Sequence, residues 1–302
     1  MKKVLLLRNI SRGTTAETDL SDFFTRATRG IGELYETTFE DLIIRVGDGT
    51  FTIFDTKNQL DLKKFRTIFI RGLEHFDEVR DVALAIRYYG KRHHIKVVNS
   101  IEYDTSSKLA HAVRFHSQKV PVAKTIWLSR AVLDDETVAS ELGFPCIMKA
   151  TVSYCGKYNY LVNSYAEIVQ HQTEHPDKFF VLQRKVGGAG DYRLLMIGKE
   201  KLLISYPVQT DKDYQAQASS GDGSRACDIN VLPKQAIRDA EKMAKYLNME
   251  ISGSDILVDK QSGEYHFLEI NAQPALVAKD DPVAPKIKLT RKYIFDIFHR
   301  AC

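Results

Sequence analysis

The chain has 302 residues, 44% hydrophobic and 27% charged, with a net charge of +4 and a pI near 8.7, a balance ordinary for a globular protein with room for two or three subdomains. Its apolar runs stop well short of the ~18 residues that a membrane span needs, and its mild basicity suits anionic ligands such as nucleotides without the dense Lys/Arg patches of a nucleic-acid binder. The four cysteines, Cys146, Cys155, Cys227 and Cys302, are scattered without metal-ligand spacing, which fits reduced thiols in a cytoplasmic protein.

Residues 4–7 form an apolar run too short for the roughly 7–15-residue core of a secretory signal; a first buried strand is expected there. Residues 14–30 carry Leu20, Phe23, Phe24 and Ala27 at helical spacing, with Gly30 or Gly32 as the stop. Runs at 41–46 and 50–54 flank Gly47-Asp48-Gly49, a hairpin signature. A strand at 67–70 precedes a helix at 79–90 with Val79, Val82, Ala83, Ile86 and Tyr89 on one face. With a short strand at 96–98, residues 1–100 read as an α/β unit.

A helix is expected at 108–117, with Leu109, Ala112, Val113 and His116 periodic, and another at 132–142, capped by Gly143. Strands at 145–150 and 158–162 pair as a hairpin. Ser164 and Glu167 make a capping box for a helix at 164–171. A strand at 179–183 leads through a flexible link at 187–190 to a hairpin of 191–197 with 201–206. A polar loop at 209–226 and an amphipathic helix at 233–247 follow, the helix turning Ala236, Ile237, Ala240, Met243, Ala244 and Leu247 one way. A closing helix at 288–299 turns Tyr293, Ile294, Ile297 and Phe298 inward.

The stretch richest in chemistry lies between those last two helices. Residues 251–259 and 265–271 read as strands around a turn at 260–263. Alternate residues of a strand share a face, so Glu269 and Asn271 project together, with Phe267 expected on their face and Leu268 and Ile270 on the other. If the strands pair, Asp255 faces the same space. Three converging oxygen-bearing side chains suit a hard cation such as magnesium, which usually brings a phosphate with it. No H-E-x-x-H, Ser-His-Asp order or Walker loop offers another chemistry, and His93-His94, beside basic residues, reads as a solvated turn.

This order of parts resembles the ATP-grasp superfamily, above all its ribosomal-protein glutamate ligase (RimK-like) and graspetide ligase branches. The resemblance spans residues 100–285. It is carried by Gly253-x-Asp255 and then Phe267-Leu268-Glu269-Ile270-Asn271-Ala272-Gln273-Pro274, similar to the family's acid followed by E-x-N-x-x-P. It implies an α/β (α+β) ATP-grasp fold with an N-terminal α/β pre-ATP-grasp domain at 1–100, a central subdomain at 101–182 and a C-terminal subdomain with the metal site at 183–302. It also implies Asp255, Glu269 and Asn271 as ligands of one or two magnesium ions, and Lys108 and Lys149 on the phosphates of ATP. The backbone of Gln183, Arg184, Lys185 and Val186 would meet the adenine, Asp191 the ribose, and Arg193, with Lys149, the transferring phosphoryl group. From the residues alone, Lys108 reads first as a solvated surface lysine, and for Asp191 one half of a surface ion pair is the lesser alternative.

Three departures stand beside this likeness. The loop at 151–157 has one glycine, Gly156, where the family has several, so Ser153 and Lys157 are the added donors, and Cys155 there reads as a plain loop residue. Arg184 replaces the usual hinge glutamate. Residues 213–217 lack the Arg-Ser-Asn of the glutamate ligases, with Arg225 as a candidate substitute. Arg8, Asn9, Arg71 and Gly72 lie at strand ends, where α/β sheets place ligands; Arg71 reads as a carboxylate ligand or as an ordinary strand-end charge. The implied function is an ATP-dependent carboxylate–amine ligase acting through an acyl-phosphate on an amino acid or peptide, with no nucleic-acid or membrane partner, and compatible with a homo-oligomer. Two alternatives stay open: a catalytically weakened nucleotide-binding scaffold, and a graspetide-type peptide-modifying ligase.

Overall fold

The first apolar run becomes an inner strand of a parallel sheet. β1 (Lys3–Arg8), α1 (Ala16–Thr28) and β2 (Glu33–Thr38) are followed by β3 (Leu42–Gly47), β4 (Thr50–Asp55) and β5 (Leu60–Asp61), then by β6 (Thr67–Ile70), α2 (Asp77–Arg92) and β7 (Lys96–Val98). The parallel sheet runs β2–β1–β6–β7, while β3, β4 and β5 make a separate antiparallel sheet. Val4 to Leu7 are fully buried, as a parallel strand covered on both faces requires. Val4 and Leu6 meet Phe23 and Phe24 of α1, and Leu5 and Leu7 meet Ile86 and Tyr89 of α2. β2 escapes the sequence reading because Glu-Leu-Tyr-Glu-Thr-Thr is an edge strand that buries only its last two residues. The computed structural model describes residues 1–8, 16–71, 77–99, 107–128, 135–153, 157–187, 189–206, 224–259, 261–277 and 282–299.

The central segment holds α3 (Lys108–Ser117), β8 (Thr125–Leu128), α4 (Asp135–Glu141), β9 (Cys146–Ala150), β10 (Asn159–Val162), α5 (Tyr165–Glu174) and β11 (Phe180–Arg184). Its antiparallel sheet runs β10–β9–β11–β8. One face is backed by α4 and α5, whose Val138 and Ile168 pack on Cys146, Met148, Val162, Phe180 and Leu182. The other face carries Lys149, Val181 and Trp127 in one ladder row, and Ile147, Gln183 and Thr125 in another. The Ser164 hydroxyl accepts from the Glu167 N–H at 3.4 Å. The Glu167 carboxylate reaches back to the Asn163 N–H at 2.9 Å, one residue earlier than a capping box predicts.

β12 (Ala189–Ile197), β13 (Glu200–Tyr206), β14 (Arg225–Cys227), α6 (Lys234–Tyr246), β15 (Ile251–Asp259), β16 (Tyr265–Asn271) and α7 (Val283–His299) complete the chain. Their sheet runs β14–β13–β12–β15–β16. Ala189 and Gly190, expected in a flexible link, are already in β12 opposite Asp259 and Val258. One face of this sheet (Leu194, Met196, Ile256, Phe267, Ile270) packs on Ala240, Met243 and Ala244 of α6. The other sends Leu195, Ile197 and Ile251 into a core shared with Ile294 and Phe298 of α7 and with the parallel sheet. Among the described residues no helix is long and apolar enough to cross a membrane.

Two expected faces change. The buried stripe of α3 is His111 and Phe115, not Val113, which is 59% exposed, nor His116. Phe267 does not share the face of Glu269. The ladder slips between Asp255 and Ile256, so that Asp255 opposes Glu269 while Ile256 opposes Phe267 and Leu268 is the extra residue. Such a bulge resets the alternation. Phe267 then joins Ile270 in the core against α6, its N–H donating to the Pro121 carbonyl at 2.9 Å.

Candidate active site

The face of β12 and β15 that buries Leu195, Ile197 and Ile251 at one end presents charge at the other. Strand periodicity places Arg193 and Asp191 two and four residues before Leu195 on that face. Arg193 opposes Asp255, and Asp255 opposes Glu269, with Asn271 opposite Gly253 in the next row. Arg193, Asp255 and Glu269 therefore stand in line across three strands. The Arg193 guanidinium forks onto the Asp255 carboxylate, Nε to Oδ1 at 2.6 Å and Nη2 to Oδ2 at 2.7 Å. The Asn271 amide donates to Glu269 Oε1 at 2.7 Å. The Tyr206 ring, at the end of β13, lies 5.5 Å from the guanidinium carbon.

Lysines reach this row from the central segment. Lys149 Nζ donates to Gln183 Oε1 at 3.0 Å, and Gln183 Nε2 donates to Thr125 Oγ1 at 3.1 Å. Lys108, at the start of α3, donates to the hydroxyl and carbonyl of Ser153 at 2.9 and 3.1 Å; it is tied to the loop after β9 and is not a free surface lysine. Burial, reinforced by Lys108, pushes the Lys149 amine down to about 8 although Glu269, Asp191 and Asp255 pull it up. Lys108 is lowered by burial and partly restored by Glu269.

The acids divide. Burial raises Asp255 to about 7 against the pull of Arg193, and raises Asp191 against Arg193 and Lys149. Burial would also raise Glu269, but His111, Asn271, Asp255 and Arg193 together hold it at about 2. Arg193 is raised well above its ordinary value because Asp255 outweighs the effect of burial. Buried acids that resist ionisation despite a forked arginine mark a place short of positive charge. Two carboxylates and an amide oxygen are hard donors suited to magnesium, so this set fits such an ion. Among the described residues no three His, Cys, Asp or Glu side chains group to hold a metal, so the phosphates of a nucleotide would have to supply further oxygens.

Other expected site residues are placed differently. The Arg184 side chain is exposed and donates to the Glu141 carbonyl at 2.9 Å, while its N–H donates to the Lys124 carbonyl. Lys185 and Val186 follow it, half-buried. Arg225 opposes Ser205, on the face of Tyr192 and opposite to that of Arg193, so it does not join the site. Arg71 Nη2 donates to the Pro274 carbonyl at 2.9 Å, and Arg8 pairs with Glu36 at 2.6 Å. Asn9, Gly72, Cys155, Gly156 and residues 213–217 lie outside the described residues.

His111 and Tyr206 were missed. The Lys108, His111, Phe115 spacing of i, i+3, i+7 is the signal that could have found His111. Tyr206 carries no sequence signal and is placed by its pairing with Asp191 and by its ring against Arg193.

An N-terminal α/β unit followed by two antiparallel sheets that bring Lys149 within electrostatic reach of Asp191, Asp255 and Glu269 is the arrangement of an ATP-grasp fold, and solved structures agree. The ATP-grasp ligase PsnB complexed with a minimal precursor aligns with a TM-score of 0.66 at 15% identity, covering 97% of this chain and 99% of that one. The macrocyclase MdnC from Microcystis aeruginosa, bound with the precursor peptide MdnA, gives 0.63 at 13% identity with coverage of 97% and 99%. D-alanine–D-alanine ligase from Bacillus anthracis, complexed with ATP, gives 0.64 at 12% with coverage of 98% and 95%. No curated protein matches the chain. A sequence profile of the RimK-like ATP-grasp domain matches residues 106–294, and the chain belongs to that family of ATP-grasp ligases.

Proposed function

We propose that this family member is an ATP-dependent carboxylate–amine ligase that works through an acyl-phosphate on an amino acid or peptide. The observation that carries this reading is the row Arg193–Asp255–Glu269, with Asn271 and Asp191 beside it and Lys149 and Lys108 in electrostatic reach. We assign residues 1–100, 101–182 and 183–302 as its three subdomains, with the cleft between the last two.

Lys149 and Lys108 hold the phosphates, oriented by Gln183 and Ser153, and Asp191 accepts from the ribose. Asp255, Glu269 and Asn271 would hold magnesium, which when bound neutralises charge on the β- and γ-phosphates. A substrate carboxylate oxygen attacks the γ-phosphorus, ADP leaves, and Arg193 stabilises the charge on the transferring group. An amine then adds to the acyl carbon, gives up a proton and expels phosphate. A peptide substrate is supported by relatives of the same fold, one a ligase complexed with a precursor peptide and another, from Chryseobacterium gregarium, with a leader and core peptide.

ADP release with magnesium and ATP, against pools of amino acids, small acids and peptides, tests the reading. Glu269→Gln is expected to abolish release while leaving the fold intact; undiminished turnover would refute the assignment. The single glycine of the loop at 151–157 and the missing Arg-Ser-Asn at 213–217 favour a second reading, a weakened nucleotide-binding protein, which ATP binding without ADP release from any pool would support.

A further inference from the structure

Trp127 and Phe179 form an aromatic pair that the nucleotide site does not use. Trp127 is 44% exposed and Phe179 is 49% exposed, with ring centroids 6.0 Å apart and planes inclined by 28°. Trp127 opposes Val181, and Val181 opposes Lys149. Directly opposed residues of an antiparallel ladder share a face, so Trp127 lies on the cleft side of the central sheet. Two strand spacings, about 10 Å, separate its backbone from that of Lys149. Phe179 precedes Val181 by two residues and projects the same way. Its carbonyl accepts from the Thr151 N–H at 2.7 Å, which fixes it beside the start of the loop after β9. Exposed aromatics scattered singly are ordinary; here two stack on the same sheet face as Lys149, two strands away across the buried Val181, which makes them a candidate contact surface.

We propose that this pair anchors an aromatic or branched aliphatic side chain of the peptide that carries the acceptor carboxylate. The inference rests on the ligase reading and names its substrate class. An extended chain advances roughly 3.3 Å per residue and turns alternate side chains to the same face, so the anchor and the acid stand an even number of positions apart, about four, the acid reaching toward the Lys149 amine while the apolar side chain rests on the rings.

Trp127 is the only tryptophan of the chain, so its fluorescence reads occupancy without turnover. The probe is an acetylated, amidated peptide, Thr-Phe-Thr-Ser-Thr-Glu-Thr, against a counterpart with Ser for Phe, each titrated with magnesium and a non-hydrolysable ATP analogue present. A saturable blue shift is expected with the first peptide and at least five-fold weaker binding with the second. Phe179→Ser, its fold checked by thermal melting, is expected to weaken the first peptide at least five-fold. In turnover, with free amino acids supplying the amine that the capped peptide lacks, the same variant should raise the KM for peptide while kcat changes little. No shift, equal binding of the two peptides, or a shift that tracks protein concentration, as a second copy on the surface would give, overturns the proposal. ADP release from peptides without any response of Trp127 upholds the ligase and removes the anchor. A peptide-dependent shift without ADP release from any pool upholds the anchor and removes the ligase reading.

Discussion

Replacing Lys149 with methionine should stabilise the fold while weakening nucleotide binding. The amine is lowered from 10.5 to about 8, which corresponds to about 3 kcal/mol of destabilisation that the charged form brings to the folded state at neutral pH. Methionine keeps the apolar stem and removes that charge. The lost hydrogen bond to Gln183 offsets about 1 kcal/mol, leaving a net gain of roughly 2 kcal/mol. Between pH 8 and 10.5 the unfolded chain binds the proton that the folded chain has lost, so wild-type stability rises with pH through that window. The advantage of the variant is therefore full at pH 7 and shrinks toward pH 10. Loss of one charge-assisted contact to phosphate is worth about 2 kcal/mol, or about 30-fold in ATP affinity. Urea midpoints at pH 7 and 9.5, with calorimetric ATP titration, check both halves. A variant less stable than wild type at pH 7, or an advantage unchanged at pH 9.5, would refute the reasoning.

Arg193→Lys cannot reproduce the fork on Asp255; it should lower the unfolding free energy read from urea denaturation by about 1–2 kcal/mol and slow ADP release more than it changes ATP affinity. Asn99 accepts from the Glu250 and Ile251 N–H groups and donates to the Ile251 and Ala272 carbonyls, tying the end of β7 to both strands of the acidic hairpin from a φ of 53°. Asn99→Ala strands those buried groups at an unfavourable φ and should cost about 3–4 kcal/mol in chemical denaturation. A Cβ at Gly253 would lie 2.8 Å from Pro274 Cβ and 3.3 Å from Arg193 Cδ; Gly253→Ala should destabilise by about 1–3 kcal/mol and reduce ADP release by displacing Arg193.

Elements built from local patterns were legible in advance. Over their described residues α1, α2, α6 and α7 turn inward most of the positions that their spacing foretold, Phe23, Phe24 and Ala27, then Ala83, Ile86 and Tyr89, then Ala236, Ala240, Met243 and Ala244, and last Tyr293, Ile294, Ile297 and Phe298, because an amphipathic face is written at 3.6-residue intervals whatever it packs against. The pairing of Glu269 with Asn271 on one face was legible for the same reason, at a period of two. β2 and β8 were not, since a half-wet edge strand and a four-residue strand leave little periodic trace. The inward face of α3 differs from the expected one because the residues it buries are His111 and Phe115, and a stripe that includes a polar residue looks like surface until the partner surface is known.

The sequence by itself determined the acidic hairpin, the order of parts and the family, because strand alternation and motif spacing are properties of the chain alone. Only the tertiary structure decided that Leu268 bulges and sends Phe267 to the core, since register depends on what the partner strand offers. It alone turned Arg184 outward and Arg225 to the wrong face, and set Asp255 and Glu269 on opposite sides of their ordinary acidity. Those differences come from burial and from charges many residues away, and such terms exist only once the strands are side by side.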